Sequence, residues 1–160
     1  MNGGPDRAER LRIRAEIEEL NAEFAYLIDH ERSEAVAELF TENGSYGRAT
    51  GERSTGREAI RRAYAQRKAK GPRTARHLFT NLRLSYESTE RVRATCILTL
   101  FAADGAPPHV ADPFLVADYD DVCERGPDGH WRFASRTVTW LFVQREGKVS
   151  PLPLGGPSGA

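Results

Sequence analysis

The spacing of apolar residues changes once along this chain, near Pro72. Before that residue, apolar side chains recur every three or four positions, and after it they alternate with polar ones. A repeat near 3.6 residues buries one face of an α-helix, whereas a repeat of two buries one face of a β-strand. Helices first and strands afterwards is the pattern of an α+β domain, in which helices pack on one face of a sheet.

The longest predicted helix runs from about Arg7 to Ile28. Its apolar side chains follow helical spacing, and Arg and Glu occupy the other faces. The apolar stripe consists of Ile13, Ile17, Leu20, Phe24, Leu27 and Ile28. This pattern predicts a long amphipathic helix with one face available for packing.

Two shorter helices are predicted between this helix and the main sheet. Ser33 is expected to cap SEAVAELF, and the turn signal Asn43-Gly44 ends that helix before a short strand around Tyr46. The segment 55–58, TGRE, has the spacing of a capping box and opens a helix that reaches about Lys70. Three helices are therefore expected before the long strands.

Four long strands are predicted after the helices, and the first is ARHLFTNLRLSY. Strict alternation divides its side chains into two faces: His77, Phe79, Asn81 and Arg83 on one, and Leu78, Leu82, Leu84 and Tyr86 on the other. The second strand is RVRATCILTLFAA. The last two, PFLVADYDDVCER and HWRFASRTVTWLFV, flank Asp128-Gly129, which supplies the torsions of a tight antiparallel hairpin.

The length of 160 residues suits one domain with its own core. We expect this domain at residues 7–143, with the helices on the concave face of a curved, mostly antiparallel sheet. Residues 1–6 and 144–160 are rich in Gly, Pro and Ser, and we expect both to be flexible tails.

Several classes of partner are disfavoured by composition. The 23 Lys and Arg residues balance 23 Asp and Glu residues, so no overall field attracts nucleic acid or an anionic membrane. No apolar run approaches the roughly 20 residues that span a bilayer, and the N-terminus lacks the apolar centre of a secretory signal. We therefore expect a cytoplasmic protein that binds neither nucleic acid nor membrane.

No metal or cofactor site is expected from the motifs. The chain contains no Gly-rich phosphate loop, GxSxG elbow or metal-spaced His/Cys set. Cys96 and Cys123 are predicted to be buried, reduced thiols. Asp118, Asp120 and Asp121 are expected to form salt bridges on the outer sheet face, because a metal would need oxygen ligands from several segments.

Asp29 lies where an anion is disfavoured. It falls in the last turn of the first predicted helix, where the macrodipole costs an anion about 0.3 to 1 kcal/mol unless a cationic group compensates. His77 lies on a strand face shared with Phe79 and Asn81, where an imidazole can act as a base. Each residue also has a plainer interpretation, Asp29 as a solvated acid and His77 as a hydrogen-bonded core residue. In contact, the Asp would orient the ring and raise the basicity of its other nitrogen.

The order of several segments carries a family resemblance. The segments are ELNAEFAYLIDHE, LFTENGSY, GREAIRRAYAQR, RHLFTN, and YDDVCER followed by DGHWRFASR. From about Leu11 to Phe142, this succession resembles the SnoaL-like branch of the nuclear transport factor 2-like superfamily. That branch includes scytalone dehydratase, bile acid dehydratase and hexachlorocyclohexane dehydrochlorinase. The resemblance implies a cone-shaped α+β barrel with a deep apolar pocket.

The resemblance also implies catalytic roles. In lyases of this branch, an Asp near the end of the first helix and a His on the first long strand form the catalytic dyad, and Asp29 and His77 match these positions. Five residues before the Asp, those lyases often carry a Tyr or Lys, whereas this chain has Phe24, which can only shape the pocket or stack. Arg136 resembles an arginine that some relatives place in the pocket, where its donors suit a carboxylate or enolate.

Because Phe24 cannot donate a hydrogen bond, other residues must stabilise the leaving group or oxyanion. The candidate donors are Tyr26, Tyr46, Tyr64 and Asn81, together with Arg136, and Phe79 is expected in the apolar wall. Asn81 has the alternative of tying down a neighbouring strand, since an amide both donates and accepts hydrogen bonds.

The expected function is that of a cofactor-independent lyase of the dehydratase type. His77 would take a proton next to a carbonyl of a small hydrophobic, cyclic or polyketide-like molecule, and Asp29 would stabilise the imidazolium. The same base could serve an isomerase or a polyketide cyclase, because all three reactions begin with deprotonation. A non-catalytic binding or assembly subunit of the same fold is the alternative from a different class. A homo-oligomer, dimer or trimer, is expected with either function.

Overall fold

The computed structural model describes residues 4–144 and 152–155. Helix α1 spans Arg7–Asp29, a 3₁₀ helix spans Ser33–Leu39, and helix α2 spans Arg57–Lys68. The strands are β1 (Phe40–Arg48), β2 (Arg53–Thr55), β3 (Arg73–Tyr86), β4 (Arg91–Asp104), β5 (Leu115–Arg125) and β6 (Trp131–Val143).

The six strands form one sheet in the order β2-β1-β6-β5-β4-β3. Strands β1 and β6 pair parallel, and every other pair is antiparallel, including the β5–β6 hairpin predicted from its Asp-Gly turn. The sheet is curved but unclosed, with β2 and β3 at its edges. The predicted α+β architecture, with N-terminal helices packed on a curved, mostly antiparallel sheet, is confirmed.

Helix α1 packs its predicted apolar stripe into the core. Asp6 caps its first turn by accepting a hydrogen bond from the Glu9 amide at 2.9 Å. Ile13, Ile17 and Phe24 are each at most 1% exposed, and α1 lies mainly against β3, with fewer contacts to β6. This packing carries the end of α1 to the edge strand on which His77 lies.

The caps predicted for the two shorter helices are wrong. The 3₁₀ helix begins after Arg32 and has no side-chain cap, so Ser33 does not serve that role. Thr55 lies in β2, where it pairs with Ser45, and the N-cap of α2 is Gly56 with φ 83°. Only glycine adopts that backbone angle without a steric cost. Helix α2 therefore begins at a glycine turn and not at a side-chain cap.

The turn predicted at Asn43-Gly44 is also wrong, because both residues lie within β1. A Cβ atom on Gly44 would lie 2.8 Å from the carbonyl oxygen of Phe133. Glycine at this position therefore allows β1 to approach β6 closely, which the turn rules for an Asn-Gly pair do not anticipate.

Strand β3 contains a bulge that reverses the predicted faces beyond it. Thr80 pairs with Ile97 and Arg83 with Thr95, so two residues of β3 oppose one residue of β4. Asn81 takes up the extra position with φ 57°, a left-handed angle that Asn tolerates. Consequently Leu82 joins the inner face of His77 and Phe79, whereas Leu78 is 45% exposed on the outer face. The prediction that Asn81 shares the His77 face is therefore wrong.

Residues near the C-terminus pack against the domain. Leu152 and Leu154 lie against the core, and the amide of Gly155 donates to Ser54 Oγ at 3.3 Å. The sequence interpretation placed these residues in a flexible tail, but their leucine side chains are partly buried. The remainder of the predicted tails, residues 1–3, 145–151 and 156–160, lies outside the described residues. In the described part of the chain, no helix combines the length and apolarity needed to cross a membrane.

Both cysteines are buried free thiols, and we predict that neither reacts with a thiol reagent in the native protein. Burial raises the pKa of Cys96 to about 12 and that of Cys123 well above its ordinary value. The reactive thiolate is therefore scarce in mildly alkaline buffer. Titration with a disulfide reagent should label no cysteine before denaturant is added and both afterwards. Rapid labelling of the folded protein would contradict this burial.

Candidate active site

The end of α1 and the inner face of β3 bring Asp29 and His77 together. The ring nitrogen Nδ1 of His77 lies 2.6 Å from Asp29 Oδ1, and the backbone amide of His77 donates to Asp29 Oδ2 at 2.9 Å. The Asp29 side chain is 6% exposed and that of His77 is 11% exposed. Both carboxylate oxygens are thus engaged by one residue, and the ring is held by its Nδ1 atom.

This contact explains why an acid stands at the end of an apolar helix. The last turn of α1 contains no basic residue, so nothing within the helix compensates the carboxylate. The donors come instead from β3, which lies 48 residues further along the chain. A carboxylate that accepts two hydrogen bonds also fixes the imidazole orientation and leaves Nε2 as the free ring nitrogen.

A cavity of about 170 Å³ opens beside His77. Its deep wall consists of buried residues: Tyr46, Tyr64, Leu98, Leu115, Tyr119 and Val138. An engineered apolar cavity of about 150 Å³ holds benzene, so this space accepts a small ring. His77 therefore borders a space large enough for a small ring.

Three tyrosines face one another on this wall. The hydroxyls of Tyr46 and Tyr119 lie 3.2 Å apart, and the rings of Tyr46 and Tyr64 are parallel with centroids separated by 6.4 Å. Burial raises the pKa of all three phenols, and the nearby Arg136 charge opposes that rise only partly. The hydroxyls therefore remain protonated and able to donate hydrogen bonds near neutral pH.

Arg136 lies behind the tyrosines in a fully buried charge network. Its Nε and Nη2 donate to Asp121 at 2.9 and 2.8 Å, and Nη2 also donates to Asn21 Oδ1. The guanidinium packs on four ring faces, those of Phe24, Phe79, Tyr119 and Phe133, at 3.9 to 5.2 Å. Burial alone would lower the pKa of Arg136, but the Asp121 carboxylate raises it above its ordinary value, so the side chain stays cationic.

The structure brings together only some of the predicted site residues. Tyr46, Tyr64 and His77 line the cavity. Phe24 and Phe79 lie behind it in the aromatic core, where their rings pack edge to face. Tyr26 is 45% exposed and stacks on His30 at the surface, whereas Asn81 is exposed on the bulge.

Arg136, Tyr26 and Asn81 are all absent from the cavity lining within the described residues. Arg136 is turned towards Asp121, because a buried guanidinium requires a buried carboxylate. Tyr26 lies off the apolar stripe of α1, and the bulge turns Asn81 outwards.

Sequence reasoning missed two residues of the candidate site, both on β5. Tyr119 lines the cavity, and Asp121 is 3% exposed beside Arg136 rather than on the outer face as expected. The signal was present in LVADYDDVC, where a period of two puts both residues on the inward face with Leu115 and Ala117. In the described part of the chain, no three His, Cys, Asp or Glu side chains converge as metal ligands would.

A family model for the SnoaL-like domain matches residues 9–137. This chain belongs to the SnoaL-like domain family. The resemblance to the SnoaL-like branch of the nuclear transport factor 2-like superfamily is thereby confirmed. A search of curated proteins found no match.

Several solved structures share the SnoaL-like architecture. A protein from Catenulispora acidiphila, solved in complex with S-DNPA, is 26% identical with a TM-score of 0.70, over 81% of this chain and 94% of that chain. A candidate scytalone dehydratase from Novosphingobium aromaticivorans is 19% identical with a TM-score of 0.78, over 96% and 100%. ActVI-ORFA from Streptomyces coelicolor is 23% identical with a TM-score of 0.68, over 80% and 97%. The last two show a likeness of fold alone.

We predict that Arg136→Met destabilises the fold by about 3 to 5 kcal/mol, because it leaves the Asp121 carboxylate buried without a cation. The double variant Arg136→Met/Asp121→Leu should recover most of this loss, since it removes both charges together. Urea unfolding of the wild type, Arg136→Met, Asp121→Leu and the double variant measures the coupling between the two side chains. Additive losses in the double variant would show that the pair does not act as a unit.

We predict that Tyr46, Tyr64 and Tyr119 stay protonated until alkaline unfolding. Their pKa values are raised in the folded state above the ordinary value of about 10. Their contribution to stability is therefore complete below about pH 10 and is lost as the pH rises above it. Ultraviolet titration of phenolate should show three of the five tyrosines ionising only with unfolding. Tyr119→Phe should reduce this late group by one.

Proposed function

We propose that this protein is a cofactor-independent lyase of the dehydratase type, acting on a small cyclic or polyketide-like molecule. The observation that carries the proposal is the Asp29–His77 contact at 2.6 Å beside an apolar cavity. A base of this kind needs an orienting partner, a free nitrogen and a space for the substrate. Membership of a family that includes dehydratases supports the same reaction class.

The first step is removal of a proton next to a carbonyl group. The Asp29 carboxylate accepts a hydrogen bond from Nδ1–H of His77, so Nε2 carries the lone pair that takes the substrate proton. The C–H electrons move into the carbonyl and form an enolate, while the Asp29 carboxylate stabilises the new imidazolium. His77 then returns that proton to the departing β-hydroxyl as the C–O bond breaks, so the products are an unsaturated carbonyl compound and water.

The hydroxyls of Tyr46 and Tyr119 are placed to hold the enolate oxygen. They lie on the deep wall of the cavity, and their 3.2 Å separation allows both to approach one acceptor atom. In a buried site each such donor contributes more than it would in water. Phe24 cannot donate a hydrogen bond, so in this proposal the phenols supply the donors for the oxyanion.

Two alternatives use the same cavity. Return of the proton to a different carbon would give an isomerase, and attack of the carbanion on a second carbonyl would give a cyclase. A non-catalytic assembly subunit remains the alternative from another class, and association of this protein into a dimer or trimer stays a prediction. The open cavity beside His77 favours catalysis, because a purely structural subunit gains stability by filling such a space.

We predict that His77→Ala reduces proton exchange by about 10² to 10⁴-fold. The assay incubates the protein with neutral β-hydroxy ketones in deuterated water, and follows deuterium incorporation and elimination by NMR. Asp29→Asn should have a smaller effect, because the imidazole remains but loses the charge that stabilises its protonated form.

His130→Ala, which removes an exposed histidine in the β5–β6 hairpin, is the matched control and should exchange like the wild type. Circular dichroism should show that all three variants remain folded. Exchange rates that are equal in the wild type, His77→Ala and Asp29→Asn would remove the dyad from the mechanism.

A further inference from the structure

Four of the residues that line the cavity are cations, and we call the part of the cavity that they border its mouth. Among the described lining residues, Arg48, Arg67, Lys68 and Arg73 carry positive charge, and Glu31 carries the negative charge. The carboxylates paired with these cations lie outside the described lining: Glu34, Glu52 and Asp104. A ligand in the cavity therefore meets the positive partner of each pair, and the negative partner lies further away.

Arg67 is the most buried of these cations, with a side chain 9% exposed. Its Nη2 donates to Asp104 at 2.7 Å, its Nη1 donates to the Gly71 carbonyl at 3.3 Å, and its Nε has no hydrogen-bond partner among the described residues. The Nε atom is enclosed, but Nη1 and Nη2 carry two N–H donors each, and the bonds to Gly71 and Asp104 use one of each pair, so among the described residues the outer nitrogens keep donors for a ligand. Such a group is stabilised by an additional acceptor.

The distance between Arg67 and His77 sets the length of a ligand that reaches both residues. Asp104, which binds Arg67, is the Cα partner of Arg73 at the open end of the β3–β4 pair. His77 lies four positions after Arg73 on β3, which corresponds to roughly 13 Å along the strand. Between them lie Ala75 and Ala102, a Cα pair that lines the cavity with small side chains and leaves room for a ligand.

We propose that Arg67 forms an anion subsite at the mouth of the cavity, which binds a carboxylate carried at the far end of the apolar substrate. The substrate is then an acid whose ring or reactive carbon lies beside His77, while its carboxylate lies roughly 13 Å away along β3. A guanidinium can bind both oxygens of a carboxylate through parallel N–H donors, whereas the ammonium group of a lysine acts as a point charge. This inference deepens the proposed function, since both concern one cavity, but it is tested by binding rather than by turnover.

The test uses ω-phenylalkanoates of increasing chain length and the matching primary amides, with dissociation constants from isothermal titration calorimetry. The wild type should bind the best acid about tenfold or more tightly than its amide, because a charge-assisted pair replaces a neutral one. Affinity of the acids should pass through a maximum with chain length, since the ring and the carboxylate must reach two separate sites. Equal affinity for acid and amide, or no measurable binding of any acid, would overturn the subsite.

Substitutions of Arg67 test whether this residue causes the preference for acid over amide. Arg67→Gln should weaken acid binding about tenfold and leave amide binding unchanged, and Arg67→Lys should keep part of the preference. Lys70→Gln removes the same charge from an exposed position outside the described lining and should behave like the wild type. Preference for the acid that survives in Arg67→Gln would overturn the assignment to Arg67.

The same titration on His77→Ala separates the two proposals. Acid preference should persist in this variant, because the carboxylate binds at the mouth and not at the dyad. Neutral ketones report the dyad in the exchange assay, and the acid–amide pair reports the subsite, so either proposal can fail alone.

Discussion

The hydrogen bonds between Asp29 and His77 join the two halves of this protein. Asp29 ends α1, the longest helix in the described part of the chain, and His77 lies on the edge strand β3, which follows all three helices and the first two strands in the sequence. One carboxylate accepts both the ring and the backbone donors of that residue, at 2.6 and 2.9 Å. These bonds fix the end of α1 against the inner face of β3, beside the cavity that Ile28, Glu31 and His77 line.

A second buried polar system lies on the other side of the cavity and has a different role. Arg136 and Asp121 are charged, but both are fully enclosed and use most of their hydrogen bonds on each other and on Asn21. The pair fixes the position of the Arg136 cation, and Tyr119 and the neighbouring aromatic rings pack around it. The His77 side chain borders the cavity, whereas the enclosed pair lies behind Tyr119 and shapes the wall without lining it.

Regular patterns were predicted well, and local exceptions were not. The apolar stripe of α1 and the hairpin after Arg125 follow from periodicity and turn chemistry, which depend on neighbouring residues alone. The bulge at Asn81 and the strand through Asn43-Gly44 depend on what lies across the sheet, namely Cys96 and Phe133. Asn occurs both in turns and in bulges, so its presence in the sequence does not predict which of the two structures forms.

The sequence by itself determined the class of the fold, because the change from a helical to a strand period leaves few ways to bury both kinds of apolar face. It also identified Asp29 as a carboxylate that requires a compensating partner at the end of a helix, and His77 as a candidate base. Only the tertiary structure decided that they meet, since contacts across 48 residues follow from how α1 crosses β3 and not from either local pattern. The same limit applies to Arg136, whose charge is legible in the sequence but whose confinement by Asp121 depends on the pairing of β5 with β6.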